Sequence, residues 1–217
     1  MRIFLVALSL LFGGAAAWAQ SPIPIRDPYE LHLSAAWQHT NQPGLGTFQR
    51  LDLDGKFAIG GGIARYWPVS ENSDIGFGIR TQYLPGAIGA VLNNPPFVGG
   101  VIVNGSYRVW ALVPFLAWRY FLSQRFRIDA NAGVGFGFTS LQMTNLVGVT
   151  VGSGSSTVPT WMLRLAALYA VSDSIWVGPY VAYFAINKWN AAVPAATIGT
   201  REALLIGAVI TIGLKAF

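Results

Sequence analysis

"RFRIDANAGVGFGF", Arg125 to Phe138, is the stretch that decides the fold. Phe126, Ile128, Ala130, Ala132, Val134, Phe136 and Phe138 fall on one side of a two-residue repeat. Arg127, Asp129, Asn131, Gly133, Gly135 and Gly137 fall on the other. A pleated strand sends successive side chains to opposite faces, so this segment has one greasy face and one that is charged or bare.

The same alternation recurs along the chain. Leu31, Leu33, Ala35 and Trp37 oppose His32, Ser34, Ala36 and Gln38, and Ile75, Phe77, Ile79, Thr81 and Tyr83 oppose Gly76, Gly78, Arg80 and Gln82. At the C-terminus Leu204, Ile206, Ala208, Ile210, Ile212 and Leu214 alternate with Leu205, Gly207, Val209, Thr211, Gly213 and Lys215, and the chain stops on Phe217. An apolar alternating segment is an unusual way to end, because chain termini in water are normally frayed and polar.

Composition points to a membrane while excluding helices as the means of crossing it. Of 217 residues, 53% are hydrophobic and only 11% charged, against about 25% charged in ordinary soluble domains; the mean hydropathy is +0.47. A spanning helix needs about 20 consecutive apolar residues. The runs Ala203–Leu214 and Val109–Trp118 are too short, the first interrupted by glycines and the second by Pro114. With 25 glycines and 12 prolines, long helices are disfavoured throughout.

The N-terminus reads as an export signal. Met1-Arg2, an apolar stretch from Ile3 to Phe12, and Ala17-Trp18-Ala19 before Gln20 form the basic, hydrophobic and small-x-small parts of a secretory signal peptide. We therefore expect residues 1–19 to be removed, residues 20–28 with Pro22, Pro24 and Pro28 to form an extended periplasmic lead-in, and residues 29–217 to be one barrel domain. Zero cysteines mean that no disulfide framework supports the exported chain. The net charge of +5 comes from scattered basic residues, which is not the footprint of a nucleic-acid binder.

Eight strands are predicted, at 29–39, 55–67, 75–84, 106–121, 125–139, 160–171, 175–187 and 202–216. Their connections alternate between short (68–74, 122–124, 172–174) and long (40–54, 85–105, 140–159, 188–201). The expected class is all-β: an eight-stranded antiparallel up-and-down transmembrane β-barrel, with both termini and the short turns on the periplasmic side. In hydrocarbon every backbone N–H and C=O must be paired within the protein, so the last strand has to close on the first. That accounts for the apolar C-terminus.

Aromatic spacing agrees with this. Tyr29 and Trp37, Trp110 and Trp118, Trp161 and Tyr169, and Trp176 and Phe184 are each eight residues apart within a predicted strand. Eight residues of tilted strand rise roughly 20 Å, close to the apolar band of about 25 Å between two aromatic girdles. Trp67 and Tyr83 are expected in the same girdles. Pro114 and Pro179 fall inside strands and remove ladder donors, so bulges are expected at both.

On these segments the chain resembles the small eight-stranded outer-membrane barrels of the OmpX, OmpW and OmpA-transmembrane kind. "RFRIDANAGVGFGF", "GPYVAYF" and the terminal Phe217 carry the resemblance, which extends over 29–217 as a pattern. It implies that Phe217 belongs to a C-terminal signal read by the barrel assembly machinery, and that outer-membrane lipid and lipopolysaccharide are the surroundings. Gly213 and Lys215, in step with Phe217, depart from the apolar residues usual in such signals. Either a bulge near the end or an interfacial Phe217 would reconcile the two. With no peptidoglycan-binding domain in view, the chain is expected to be the barrel alone.

An eight-stranded barrel is just wide enough inside to be filled by side chains. The inward positions supply Arg80, Gln82, Arg127, Asp129, Asn131 and Arg164, together with His32, Ser34 and Gln38. Buried charges need partners, and with Asp129 read as the one clear acid, an Arg80–Asp129–Arg164 network is expected, with Arg127 nearer the periplasm. A structural plug is one reading of this lumen; an anion-preferring conduit is the other.

Catalysis finds little footing. The only histidines are His32 and His39, and neither His39 nor Ser140 or Ser153 has the spacing of a nucleophile and its base. No catalytic residue, cofactor site or metal cluster is expected. "GVGFG" and "GSGSS" lack the following helix a phosphate loop requires.

Residues 84–106, 139–160 and 189–200 contain no charge. They are either strand extensions packed on one another, a gate for a small apolar ligand as the OmpW resemblance implies, or a partner surface. The function expected is a non-enzymatic integral outer-membrane barrel with a structural or interaction role and a plugged lumen. The alternative is a passive channel for small hydrophobic or anionic solutes, and a remote one is a lipid-modifying enzyme.

Overall fold

A computed structural model describes residues 26–40, 57–92, 101–187, 189–190, 197–198 and 201–214. The expected signal peptide, residues 20–25 of the lead-in, the loop 41–56 and Phe217 lie outside them.

Alternating polarity produces strands wherever one face can meet lipid and the other a filled lumen. They are β1 (Tyr29–Thr40), β2 (Phe57–Ser70), β3 (Ser73–Leu92), β4 (Val101–Ser123), β5 (Phe126–Asn145), β6 (Thr150–Ala170), β7 (Ile175–Ile186) and β10 (Arg201–Leu214), with the short pair β8 (Trp189–Asn190) and β9 (Thr197–Ile198) between the last two. The eight long strands close in the order β1-β10-β7-β6-β5-β4-β3-β2, every neighbour antiparallel. Closure between first and last strands runs the full length of β1, from Tyr29 opposite Leu214 to Thr40 opposite Ala203. The chain is thus an up-and-down barrel without a free edge in its wall.

The two proline-bearing strands hold their register. Leu112 opposite Phe136 and Phe115 opposite Gly133 preserve one alignment across Pro114. Ala166 opposite Tyr180 and Tyr169 opposite Val177 do the same across Pro179. The bulges expected there do not form. Glycine lets the backbones come close beside each gap: a Cβ on Gly133 would run into the Pro114 carbonyl oxygen, and one on Gly178 into that of Ala167. The ladder loses rungs but not alignment. Register shifts do occur close to the connecting turns, between Pro68 and Ser70, Phe121 and Ser123, and Met143 and Thr144.

Two of the expected long loops are continuations of the wall. β3 and β4 stay paired out to Leu92 opposite Val101, and β5 and β6 out to Thr144 opposite Thr150. The second hairpin closes in a tight turn where the Asn145 side-chain oxygen accepts from the N–H groups of Val147 (3.2 Å) and Val149 (2.9 Å), with Gly148 at φ +81°. A left-handed residue is needed there, and glycine adopts it freely.

Outward positions over the middle of the wall are large and apolar, among them Leu33, Ile79, Leu116, Phe136, Leu163, Val181 and Ile210. Trp37, Trp67, Trp110, Trp118, Trp161 and Tyr169 are exposed on this face, with Tyr29 and Tyr83 half-buried. Tyr83 packs on Trp110 at 4.8 Å and Trp118 on Tyr120 at 5.7 Å. Near the turn end, Arg65 lies on the outer wall with its guanidinium 5.4 Å from the Tyr29 ring and 5.0 Å from Trp67. An arginine among interfacial aromatics suits the boundary between hydrocarbon and water.

Trp176 and Phe184 are not in the girdles. They are 1% and 0% exposed and point into the lumen. Pairing decides this: Trp176 sits opposite Thr211 and Phe184 opposite Ala203, both inward residues of β10, so the odd-numbered Ile175, Val181 and Tyr183 face out. Eight-residue spacing within β7 was compatible with either face.

Candidate functional site in the lumen

The inward residues form two tiers. Toward the end that carries the short turns, charges interlock. Glu30, at the start of β1, accepts from Arg119 Nη1 at 2.7 Å and from Arg127 Nη1 and Nη2 at 2.6 and 2.9 Å. Arg119 also donates through Nε to Asp74 at 2.5 Å, and Arg26 Nη1 lies 2.9 Å from the other Asp74 oxygen. Arg127 Nε is 3.1 Å from Asp129. Each of Glu30, Asp74, Arg119, Arg127 and Asp129 is no more than 1% exposed. Interleaved opposite charges of this kind are what allow ionised groups to stay in a buried place.

Aromatic rings fill the space between the charges. Arg119 lies over Tyr66 at 4.0 Å and Arg127 over Trp176 at 4.5 Å, while Trp176 meets Phe121 edge-on at 6.0 Å. Residues ahead of β1 close this end: Arg119 Nη2 donates to the Asp27 carbonyl at 3.0 Å, Tyr66 N–H to Pro28 carbonyl at 2.8 Å, and Arg26 to the Glu71 carbonyl.

The expected Arg80–Asp129–Arg164 network is replaced by a different arrangement. All six residues singled out in sequence, Arg80, Gln82, Arg127, Asp129, Asn131 and Arg164, are buried in the lumen at 4% exposure or less. Asp129, however, pairs with Arg127. Arg80 donates to the Ser34 hydroxyl, and with the Asn131 amide turned so that its oxygen faces the guanidinium, Arg164 Nη1 donates to it at 3.0 Å. Asp129 is not the sole inward acid either. Glu30 and Asp74 join it, and Glu30 bridges both lower arginines. Parity could have found these two, since Glu30 is in step with His32 and Ser34, and Asp74 with Arg80. Arg119 was hidden because both faces of β4 carry bulky apolar groups.

Of the histidines, His32 is buried, its Nδ1 3.2 Å from the Thr211 hydroxyl and its ring edge-on to Phe115 at 6.5 Å. His39 is exposed on β1, whereas Ser140 and Ser153 lie on the outer wall of β5 and β6, strands that are not its neighbours. The structure does not bring these three together.

Toward the long hairpins the lumen becomes mostly apolar. Leu84, Tyr107, Val109, Leu141, Met143, Val158, Met162, Phe184 and Leu205 are all buried there, with Gln38, Thr139 and Thr160 as buried polar residues among them. Outside them the wall turns polar: Arg108, Ser140 and Ser155 stand side by side across β4, β5 and β6, with Ser106, Gln142 and Ser153 in the next row, around a shallow notch of about 340 Å³.

No protein-family model and no curated protein sequence matches the chain. Solved structures do. The crystal structure of Neisserial surface protein A (NspA) superposes with a TM-score of 0.52 at 11% identity, over 86% of this chain and 97% of that one. The outer membrane protease OmpT from Escherichia coli gives 0.50 at 12% identity, over 75% of this chain and 65% of its own length. At such identities the likeness speaks for the fold: the chain is built as a small eight-stranded antiparallel barrel of the bacterial outer-membrane type.

Proposed function

We propose that this is a non-enzymatic integral outer-membrane barrel whose lumen is closed by its own side chains and which serves a membrane-structural or interaction role. Its turn end would face the periplasm, its long hairpins the exterior, and residues 1–19 would direct export. One observation carries the reading. The cluster joining Arg26, Glu30, Asp74, Arg119, Arg127 and Asp129 links the segment before β1 to β1, β3, β4 and β5, and Glu30, Asp74, Arg119 and Arg127 each meet two oppositely charged partners. These ion pairs, with the Trp176 and Tyr66 rings packed on their arginines, support a lumen filled by side chains.

Planar-bilayer recording tests this. The unaltered protein should give no steady conductance, and Glu30→Ala, which removes the carboxylate shared by two buried arginines, should give flickering openings. Steady ohmic conductance by the unaltered barrel would overturn the reading.

The apolar upper lumen beneath uncharged hairpins favours one competing reading, a passive conduit for small hydrophobic solutes that leave the barrel above the ionic tier. Uptake of an apolar solute by cells with and without the protein separates the two; equal uptake removes the conduit. Overexpression that alters lipid A or phospholipid profiles would instead revive a lipid-modifying activity.

A further inference from the structure

Two arginines stand apart from the ionic cluster. Arg80 on β3 and Arg164 on β6 are 1% and 3% exposed, and both guanidiniums neighbour the Tyr180 ring, at 6.0 and 5.2 Å from its centroid. Among the described residues neither has a carboxylate at ion-pairing distance, because Glu30, Asp74 and Asp129 are engaged by Arg26, Arg119 and Arg127. The acceptors within their reach, the Ser34 hydroxyl and the Asn131 amide oxygen in its hydrogen-bonding orientation, are neutral.

Donors are left over. Arg80 Nη1, Arg164 Nε and Nη2, the Tyr180 hydroxyl and the amide of Gln82, two residues along β3 from Arg80, have no hydrogen-bond partner among the described residues. Two like charges held near one ring repel each other, and a buried charge is stable only when it is offset. Water can accept from the free N–H groups but brings no negative charge. A small anion does both, and charge-assisted bonds from guanidinium are the strong kind.

We propose that Arg80 and Arg164 bind a small inorganic anion of the chloride class inside the lumen, with Tyr180 and Gln82 as its neutral donors. The site requires the arginine pair and not a sealed bore, so conductance measurements do not bear on it. Its role is structural: the anion completes a charge network that the buried acids Glu30, Asp74 and Asp129 leave unbalanced.

The test uses the full-length exported barrel, purified in detergent with gluconate as the only anion and titrated with chloride at constant ionic strength. Thermal unfolding followed by circular dichroism should shift upward in a saturable way, by about 5 °C for a hundredfold excess over the dissociation constant. Arg65→Gln, on the outer wall, should keep that response, while Arg80→Gln and Arg164→Gln should lose most of it. Should those variants fail to fold, crystals of the unaltered barrel soaked in bromide give a direct readout: an anomalous peak in contact with both guanidiniums. A response no different from that to gluconate, or bromide found only elsewhere (an adventitious ion only), overturns the proposal.

Discussion

The two halves of the barrel are polarised in opposite senses. In the half that carries the turns, Glu30, Asp74, Arg119, Arg127 and Asp129 point inward and Leu116, Trp118, Leu165 and Tyr169 point outward, with Arg65 as the outward charge at the boundary. In the half that carries the hairpins, Leu84, Val109, Leu141 and Met143 point inward and Arg108, Ser140, Gln142 and Ser155 point outward. The strands run through both without interruption. A single ribbon thus behaves as a membrane wall at one end and as a soluble barrel at the other. The difference shows that the surrounding solvent, rather than the fold, dictates which face of a strand is greasy.

The largest effect should come from breaking the ionic tier. Glu30→Ala removes the acceptor that Arg119 and Arg127 share and leaves them Asp74 and Asp129 alone; breaking buried ion pairs costs about 3–5 kcal/mol. Urea titration of the barrel in lipid vesicles measures it; a loss below 1 kcal/mol would mean that water already reaches this tier.

Next in size is a test of the wall itself. Leu163→Arg places a charge at mid-height on the lipid face, where about 2–4 kcal/mol is the expected loss. Ser140→Arg, on the same kind of outward position but in the hairpin half, should change stability by less than about 0.5 kcal/mol. Equal losses from the two variants would abolish the distinction between the halves. The same vesicle titration reads both.

Packing inside the lumen should respond more modestly. A Cβ on Gly78 would meet the Ile63 carbonyl oxygen of the neighbouring strand and lie 2.6 Å from the Phe115 ring, so Gly78→Ala overpacks the bore and its wall by about 1–3 kcal/mol. A lumen with spare volume would absorb the methyl at no cost. The smallest effect is expected from Arg65→Gln, which removes cation–π contacts worth about 0.5–1 kcal/mol at the exposed boundary. Partitioning of the variant barrel between vesicles of different thickness would show whether that anchor matters.

Much of the architecture was legible in the two-residue repeat. Strand number, closure of the last strand on the first and the outward face of β1, β3, β5, β6 and β10 follow from alternation alone, because lipid tolerates neither an open edge nor an outward charge. Strand length was underestimated where the repeat changes sense: Ser140 and Gln142 look like loop residues until Leu141 and Met143 are seen to fill the bore. β7 was misread because Trp176 and Phe184 have girdle spacing on a strand whose two faces are equally bulky.

In the lumen, side-chain identity was more legible than partnership. Parity alone brought Arg80, Arg127, Asp129, Asn131 and Arg164 inside, since a lone charge on the other face would sit in hydrocarbon. Which acid meets which arginine depended on strand stagger and on the segment before β1. Glu30 thereby came between Arg119 and Arg127, and Asp129 was drawn to Arg127 rather than Arg80. Alternation is a local property and needs no neighbours to be read. Pairing across a closed bore depends on the register of all eight strands at once, and only the assembled barrel sets that.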